Sequence, residues 1–481
     1  MANEVIIEKF NEAYLKVRCE PSTAKELNEF FKFEVPGAKF MPSVRNRTWS
    51  GYIHLFSPAT GKIYTGLLPY VQRFLQEQGY RVKVEDVFRP KEVDKKLIRR
   101  FVSSVSKFRA RAYQIDAIHY VIERDRGVIL SPTGSGKSFI IYALVRWYIN
   151  EGHKILLVVP TTSLVEQMYK DFADYGWFPE DHCHRLYAGK EKGSDKDVII
   201  STWQSIYKMP RTYFDQFGTV FVDEAHLAKA KSLTGIMTKL HDCKYRIGLT
   251  GTLDGKEIHR LVLEGLFGVC EEVTTTAELV KSKHLANLEV NCLVLSHPSD
   301  KCIKRTYQEE MDYIASSEAR NRYITNLVKT LEGNTLVLAQ YVDKHLLPLY
   351  GLASDVDKET HIVYGATPTL DRENIRELVE NSTKDSVIYA SYGTFSTGIN
   401  IKRLHNIVFA SPYKSQIRVL QSIGRGLRRS VDKKMLRIFD ISDNLVYNRK
   451  ENYTLLHLKE RVRMYNEQEF SYEIIPVQLK G

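Results

Sequence analysis

The stretch Ser131-Pro132-Thr133-Gly134-Ser135-Gly136-Lys137-Ser138 lies between one apolar run, Gly127-Val128-Ile129-Leu130, and another, Phe139-Ile140-Ile141-Tyr142-Ala143-Leu144. Strand, glycine-rich turn and helix, in that order, suit a phosphate-binding loop. Glycines let the backbone turn tightly enough for consecutive N–H groups to face a polyphosphate, and the positive end of the following helix dipole faces the same anion. Lys137 then reaches the outer phosphates, and Ser138 offers its hydroxyl to Mg²⁺. The strict motif opens with glycine where this chain has Ser131, and a plain Gly/Ser turn is the structural alternative.

Farther along, Phe221-Val222-Asp223-Glu224-Ala225-His226 puts two carboxylates just past an apolar strand. Asp223 suits the shell of a Mg²⁺ ion, and Glu224 suits the task of orienting and deprotonating a water that attacks a γ-phosphate. His226 either couples that site to the Thr250-Gly251-Thr252 loop or is an ordinary hydrogen-bonded histidine. In Gln421-Ser422-Ile423-Gly424-Arg425-Gly426-Leu427-Arg428, two arginines three residues apart share a helix face. Supplied from a second domain, such guanidinium groups stabilise charge on a transferring phosphoryl group; read plainly, they are a basic surface helix. Arg45-Asn46-Arg47-Thr48-Trp49 mixes guanidinium and aromatic groups, as nucleic-acid grips do, or else uses Trp49 as a core plug beside a turn.

These groups need elements to hold them. Residues 1–85 read as a small mixed domain with a strand at 14–19. A helix follows, entered through the capping-box pattern Thr23-Ala24-Lys25-Glu26 with Leu27, Phe30 and Phe31 on its apolar face; then come a strand at 52–56 and a helix over 67–78. Residues 86–111, dense in lysine and arginine and with little regularity before Leu97, read as a basic linker. Over 112–280, strands at 128–130, 155–159, 198–201, 220–222 and 246–249 alternate with helices, in the manner of a parallel sheet covered on both faces. The loops at the carboxyl ends of such strands are where ligands bind. A second alternating region, 281–445, has strands at 288–295, 335–338, 361–363, 387–390, 406–410 and 436–440 and no phosphate loop of its own. The tail, 446–481, carries an amphipathic helix over 455–465 and a closing strand at 472–477.

At 481 residues and 43% hydrophobic composition the chain can bury several cores, and its net charge of +11 favours a polyanionic partner such as nucleic acid. The six cysteines, at 19, 183, 243, 270, 292 and 302, are scattered with no Cys-x-x-Cys pair, which points away from a disulfide framework and from a zinc site. No apolar run approaches the ~18 residues of a membrane span and no secretory leader is visible, so a cytoplasmic protein without a membrane partner is expected.

In chain order, Arg111-Ala112-Tyr113-Gln114, the phosphate loop, Pro160-Thr161-Thr162-Ser163-Leu164, Ser201-Thr202-Trp203-Gln204-Ser205, Asp223-Glu224-Ala225-His226, Thr250-Gly251-Thr252, Ser396-Thr397-Gly398-Ile399-Asn400 and the run from Gln421 to Arg428 resemble the motifs of superfamily II helicases. Trp49-Ser50-Gly51, Thr202-Trp203-Gln204 and Tyr392-Gly393-Thr394-Phe395-Ser396-Thr397-Gly398 make the chain similar, over nearly its whole length, to the phage UvsW-like DNA helicases. The resemblance implies an α/β protein of two tandem RecA-like parallel-sheet domains, with a small α+β N-terminal DNA-recognition domain and a short C-terminal extension. It implies ATP and Mg²⁺ as cofactors and a monomer that tracks one strand of forked or branched DNA, including the RNA–DNA hybrid of R-loops.

Carried over by position, Arg111, Tyr113 and Gln114 face the adenine, with Tyr113 or Phe108 stacking on it, while Thr133, Gly134, Ser135, Gly136, Lys137 and Ser138 hold phosphates. Gly398 and Asn400 line the nucleotide cleft, and Arg425 and Arg428 serve as arginine fingers. His226, Thr250, Thr252 and Gln421 couple hydrolysis to movement. Thr161, Thr162, Thr202, Thr394 and Thr397 touch strand phosphates, and Arg45, Arg47 and Trp49 grip DNA. An RNA helicase, a nucleotide-switched clamp that does not translocate, and the motor of a restriction system stay open as alternatives.

Overall fold

Alternation along buried strands decides which core each side chain joins. On the strand Ile155–Val159, residues Ile155, Leu157 and Val159 pack with the helices Ala112–Arg124, Lys137–Asn150 and Thr162–Asp174, while Leu156 and Val158 enter a second core with Lys231–Lys239 and Glu257–Phe267. A strand buried on both faces must be apolar at every position, which is why these segments read as unbroken greasy runs. The computed structural model describes residues 4–35, 37–85, 90–187, 193–229, 231–253, 257–394, 401, 403–412, 416–427, 433 and 435–479.

The chain forms two compact units whose main boundary falls between Val273 and Thr274, ahead of the 280/281 division read from the sequence. The helix Thr276–Lys281, capped by the Thr275 hydroxyl on the Glu278 N–H, starts the second unit. In the first unit a seven-stranded sheet runs in the order Cys183–Leu186, Val198–Thr202, Ile155–Val159, Thr219–Asp223, Tyr245–Thr250, Arg126–Leu130 and Cys270–Glu272, with every pairing parallel. All five strands expected from the sequence are present. The two edge strands, Cys183–Leu186 and Cys270–Glu272, carry too few apolar residues to have shown themselves.

The N-terminal sheet, in the order Phe56–Ser57, Lys62–Tyr64, Tyr14–Arg18, Glu4–Lys9 and Arg81–Glu85, belongs to the same unit. Its inner strand Glu4–Lys9 pairs antiparallel with Tyr14–Arg18 and parallel with Arg81–Glu85. The helix after it differs from the expected capping box. It begins at Pro21 with Glu20 as N-cap, and Thr23 lies inside it, buried, because proline supplies the fixed φ of a first helical turn. Leu27 and Phe31 are buried there, while Phe30 stays partly exposed and stacks on Phe74 with ring centroids 4.4 Å apart.

This domain is fused to the first parallel sheet rather than tethered to it. Ile258 and Leu261 of the helix Glu257–Phe267 lie in the N-terminal core, Tyr70 hydroxyl donates to the buried Glu264, and the Arg126 guanidinium donates to the Glu12 carbonyl at 2.9 Å. Gly66 sits so close to this helix that an added Cβ would lie 1.8 Å from the Glu264 carbonyl oxygen. The segment read as a basic linker is itself partly helical: Lys95–Val105 folds as a helix capped by Asp94, with Ile98 and Val102 in the core of the first parallel sheet.

The second unit holds another seven-stranded, all-parallel sheet, ordered Glu359–Val363, Ser386–Ser391, Thr335–Ala339, Asn406–Phe409, Met435–Asn444, Asn287–Ser296 and Tyr472–Gln478. The closing strand of the tail is therefore an edge of this sheet, and the helix Tyr453–Glu467 packs beside it through Leu458, Met464 and Tyr465. The two parallel sheets with the mixed N-terminal sheet constitute the tandem RecA-like architecture expected from the sequence. Among the described residues no helix is long and apolar enough to cross a membrane, and all six cysteines are free thiols.

Candidate nucleotide site

Three adjacent strands bring the first unit's chemistry to one edge. Arg126–Leu130 feeds the phosphate loop, Thr219–Asp223 ends in the acidic pair, and Tyr245–Thr250 runs between them. Thr250 consequently touches both sides. Its carbonyl accepts from the Ser131 N–H at 2.9 Å, and its hydroxyl lies 2.9 Å from His226 Nδ1. Thr250 Oγ1 also donates to the Thr252 carbonyl at 3.0 Å, and His226 Nδ1 stands 3.3 Å from Glu224 Oε2. Glu224, His226, Thr250 and Thr252 thus form one continuous chain of polar contacts from the acidic pair to the next loop.

The phosphate loop has the conformation its glycines allow. Gly134 and Gly136 adopt φ of 86° and 85°, and the helix Lys137–Asn150 starts immediately after them. Lys137 Nζ donates to the Ser131 carbonyl at 3.1 Å, so the ammonium is held over its own loop. Gln114, buried, lies against the loop from outside: an added Cβ on Gly136 would meet its Nε2 at 2.6 Å, while its Oε1 accepts from the Arg111 N–H at 2.9 Å. Arg111 Nη1 in turn donates to the Tyr113 hydroxyl at 2.8 Å. Phe108, 54% exposed, presents an aromatic ring, packed edge-to-face on Tyr175, at the near end of the same segment.

The acidic pair is electrostatically loaded. Burial and the neighbouring Glu224 carboxylate push Asp223 well above the ordinary carboxylate range, against the pull of Lys137. Asp223 also accepts from the Glu224 N–H at 3.0 Å, and Glu224 itself sits at φ 52°, a left-handed conformation rare for a glutamate. Strain of this kind collects where a side chain must point in one particular direction.

The remaining residues singled out in the sequence fall into three groups. Thr161 caps the helix Thr162–Asp174, accepting from the Leu164 N–H at 3.3 Å, and Thr162 is exposed beside it. Thr202 and Thr394 are buried, and their hydroxyls pair with Ser205 at 2.9 Å and Ser391 at 2.8 Å; these side chains shape turns, so a strand would meet the turn backbone before the hydroxyls. In the N-terminal domain Arg45 and Arg47 are exposed, whereas Trp49 is half-buried with its indole N–H on the Tyr52 carbonyl at 3.0 Å. In the second unit Arg425 lies on the helix Gln416–Gly426, half-buried. Thr397, Gly398, Asn400 and Arg428 lie outside the described residues, as does the side chain of Gln421. One residue of the site escaped the sequence altogether. Tyr175, whose hydroxyl is 2.7 Å from Ser138 Oγ, follows a helix far down the chain and carries no motif.

A phosphate loop and an acidic pair on neighbouring strands of one parallel sheet, followed by a second parallel sheet, define the class of RecA-like motor ATPases. Sequence comparison narrows it. Residues 5–85 match the family model described as DNA helicase UvsW, N-terminal, and residues 107–255 match the type III restriction enzyme res subunit. The ATP-dependent DNA helicase uvsW of Enterobacteria phage T4 is 32% identical over 500 residues, spanning 97% of this chain and 98% of its own. The crystal structure of T4 UvsW aligns over 99% of this chain and 100% of its own, with 29% identity and a TM-score of 0.53. A fragment of an HsdR subunit from Vibrio vulnificus YJ016, at 18% identity and a TM-score of 0.58 over 89% of this chain and 77% of its own, shares the fold. The chain belongs to the UvsW family of superfamily II DNA helicases.

Proposed function

We propose that this protein is an ATP-dependent DNA helicase that remodels branched DNA, acting on forks, Holliday junctions and R-loops and tracking along one strand as a monomer. The observation that carries the reading is the continuous contact chain Glu224, His226, Thr250, Thr252, which links the water-activating position to the loop beyond it. Such a link suits a protein that must pass the state of its nucleotide to a nucleic-acid face, and the family supplies the motor reading.

Lys137 and the loop N–H groups bind the triphosphate, and Glu224 orients and deprotonates the attacking water. The donor set fits Mg²⁺. Asp223 is a carboxylate whose charge is disfavoured first by burial and then by the Glu224 carboxylate, and Ser138 contributes a hydroxyl oxygen, so the pair offers the hard oxygen ligands that ion prefers. When bound, Mg²⁺ neutralises charge on the β- and γ-phosphates.

Arg425 and Arg428 act as arginine fingers on the γ-phosphate; their three-residue spacing in the sequence and the family supply the support. Residues 1–85 serve as the DNA-recognition domain, with Arg45 and Arg47 exposed for phosphates, and 446–481 as an extension of the second domain. Strand displacement tests the substrate assignment: forked duplex is expected to be opened several-fold faster than an unbranched tailed duplex of equal length. Equal or faster opening of the unbranched duplex contradicts it.

A further inference from the structure

Tyr175 lies outside every motif, yet it is the side chain that holds the phosphate loop's serine. Its hydroxyl is 2.7 Å from Ser138 Oγ, and its ring is packed on three sides: edge-to-face with Phe108 at 5.8 Å, edge-to-face with Phe139 at 5.3 Å, and tilted against Tyr142 at 5.2 Å. The backbone is pinned as well. Lys107 N–H donates to the Tyr175 carbonyl at 3.1 Å, and the next residue, Gly176 at φ 102°, lets the Lys107 side chain pass where a Cβ would come within 2.9 Å of it. A hydroxyl fixed this firmly can fix another.

A serine that lends its oxygen lone pairs to a cation must send its proton elsewhere, and the acceptor of that proton sets its rotamer. We propose that Tyr175 is a positioning residue for the magnesium site: it accepts the Ser138 proton, holds the Ser138 lone pairs towards the cation, and ties that serine to the Lys107–Phe108 segment. This rests on the reading of Ser138 as the metal's hydroxyl ligand. The link runs through rigid aromatic packing, so the metal side of the site and the exposed Phe108 ring are held by one residue.

The test is equilibrium binding of a fluorescent ADP analogue to the full-length protein, titrated with Mg²⁺ and repeated in EDTA, for the parent, Tyr175→Phe and Ser138→Ala. Tyr175→Phe removes one oxygen and keeps the ring packing. It is expected to raise the Mg²⁺ concentration at half-effect about 10-fold while leaving binding in EDTA unchanged, the size seen when an outer-shell partner of a metal ligand is lost. A Tyr175→Phe midpoint within about twofold of the parent, alongside a shifted Ser138→Ala, overturns the role of Tyr175 alone. Equal weakening with and without Mg²⁺ shows a merely structural tyrosine and overturns it too. No shift in either variant removes Ser138 as a ligand, and the inference falls with that reading.

Discussion

Lys137 makes the plainest statement at the scale of a single residue. Its ammonium rests on the Ser131 carbonyl at 3.1 Å, a contact that a triphosphate would replace. Lys137→Ala should therefore cut ATP turnover at least ~100-fold, the range seen when one preorganised charge is removed from a phosphoryl-transfer site, with DNA binding nearly unchanged. A steady-state phosphate-release assay paired with a DNA-binding titration checks both halves. Glu224 is different, because its left-handed φ of 52° costs ~1 kcal/mol and goes with a buried carboxylate oxygen 3.3 Å from His226 Nδ1. Both residues were legible from spacing alone. Tyr175 was not, since an aromatic after a helix has no signature until the fold brings it to Ser138.

Two elements bear loads that can be measured apart from catalysis. The helix Glu257–Phe267 joins the N-terminal domain to the first parallel sheet, and it does so through a backbone approach at Gly66 that leaves no room for a side chain. Gly66→Ala must push the helix away from the N-terminal core and should lower stability by ~2–3 kcal/mol, read by calorimetry as a lower melting transition of the first unit. In the second unit a buried polar cluster sits at the carboxyl ends of the strands. Arg320 Nε donates to Asp443 at 2.8 Å, His297 Nε2 stands 2.9 Å from the same carboxylate, and His345 lies 2.9 Å from Ser411 Oγ and 3.5 Å from Arg320. Burial, then the adjacent Arg320 cation, pushes His345 down to about 3. The unfolded chain takes up this proton near pH 6.5 and the folded one does not. Stability is therefore full above that pH and falls by ~1.4 kcal/mol per unit as pH drops from about 6 towards about 4. His345→Gln should flatten that slope in a pH series of urea melts. Asp443 adds to acid sensitivity only lower: burial opposes its charge, but Arg320 and His297 hold it below the usual carboxylate value, a gain lost as pH falls through that depressed value.

At this same scale the buried strands with runs of three to five apolar residues announced themselves in the sequence, as with 155–159 and 198–201. Among the elements that did not are four that show why. Cys183–Leu186 and Cys270–Glu272 are edges, half exposed and polar, so their pattern carries no periodic signal. Glu4–Lys9 escaped because it is short and charged at both ends, with only Val5 and Ile7 buried. The helix Lys95–Val105 hid behind its own charge: Lys95, Lys96, Arg99 and Arg100 face water while Ile98 and Val102 sit in the core, and the cationic density read as a linker.

For the whole molecule, the fused N-terminal domain matters most. With Glu264 accepting from Tyr70, Arg260 and the Cys270 N–H, the surface carrying Arg45 and Arg47 and the sheet carrying Lys137 form one compact unit. Under the proposed function, a junction gripped by that domain would be held by the same body as Lys137, and the net charge of +11 favours long-range attraction to a polyanion. Under the same proposed function, hydrolysis at Glu224 drives movement through the contacts of His226 with Glu224 and Thr250. The most direct measurement is fluorescence-monitored opening of a DNA fork, with ATP, by the parent protein and by Glu224→Gln at equal occupancy of the fork. The account predicts that the parent opens the fork only with ATP, while Glu224→Gln binds ATP and the fork together and opens it at least ~100-fold more slowly. Fork opening by Glu224→Gln at the parental rate would contradict it.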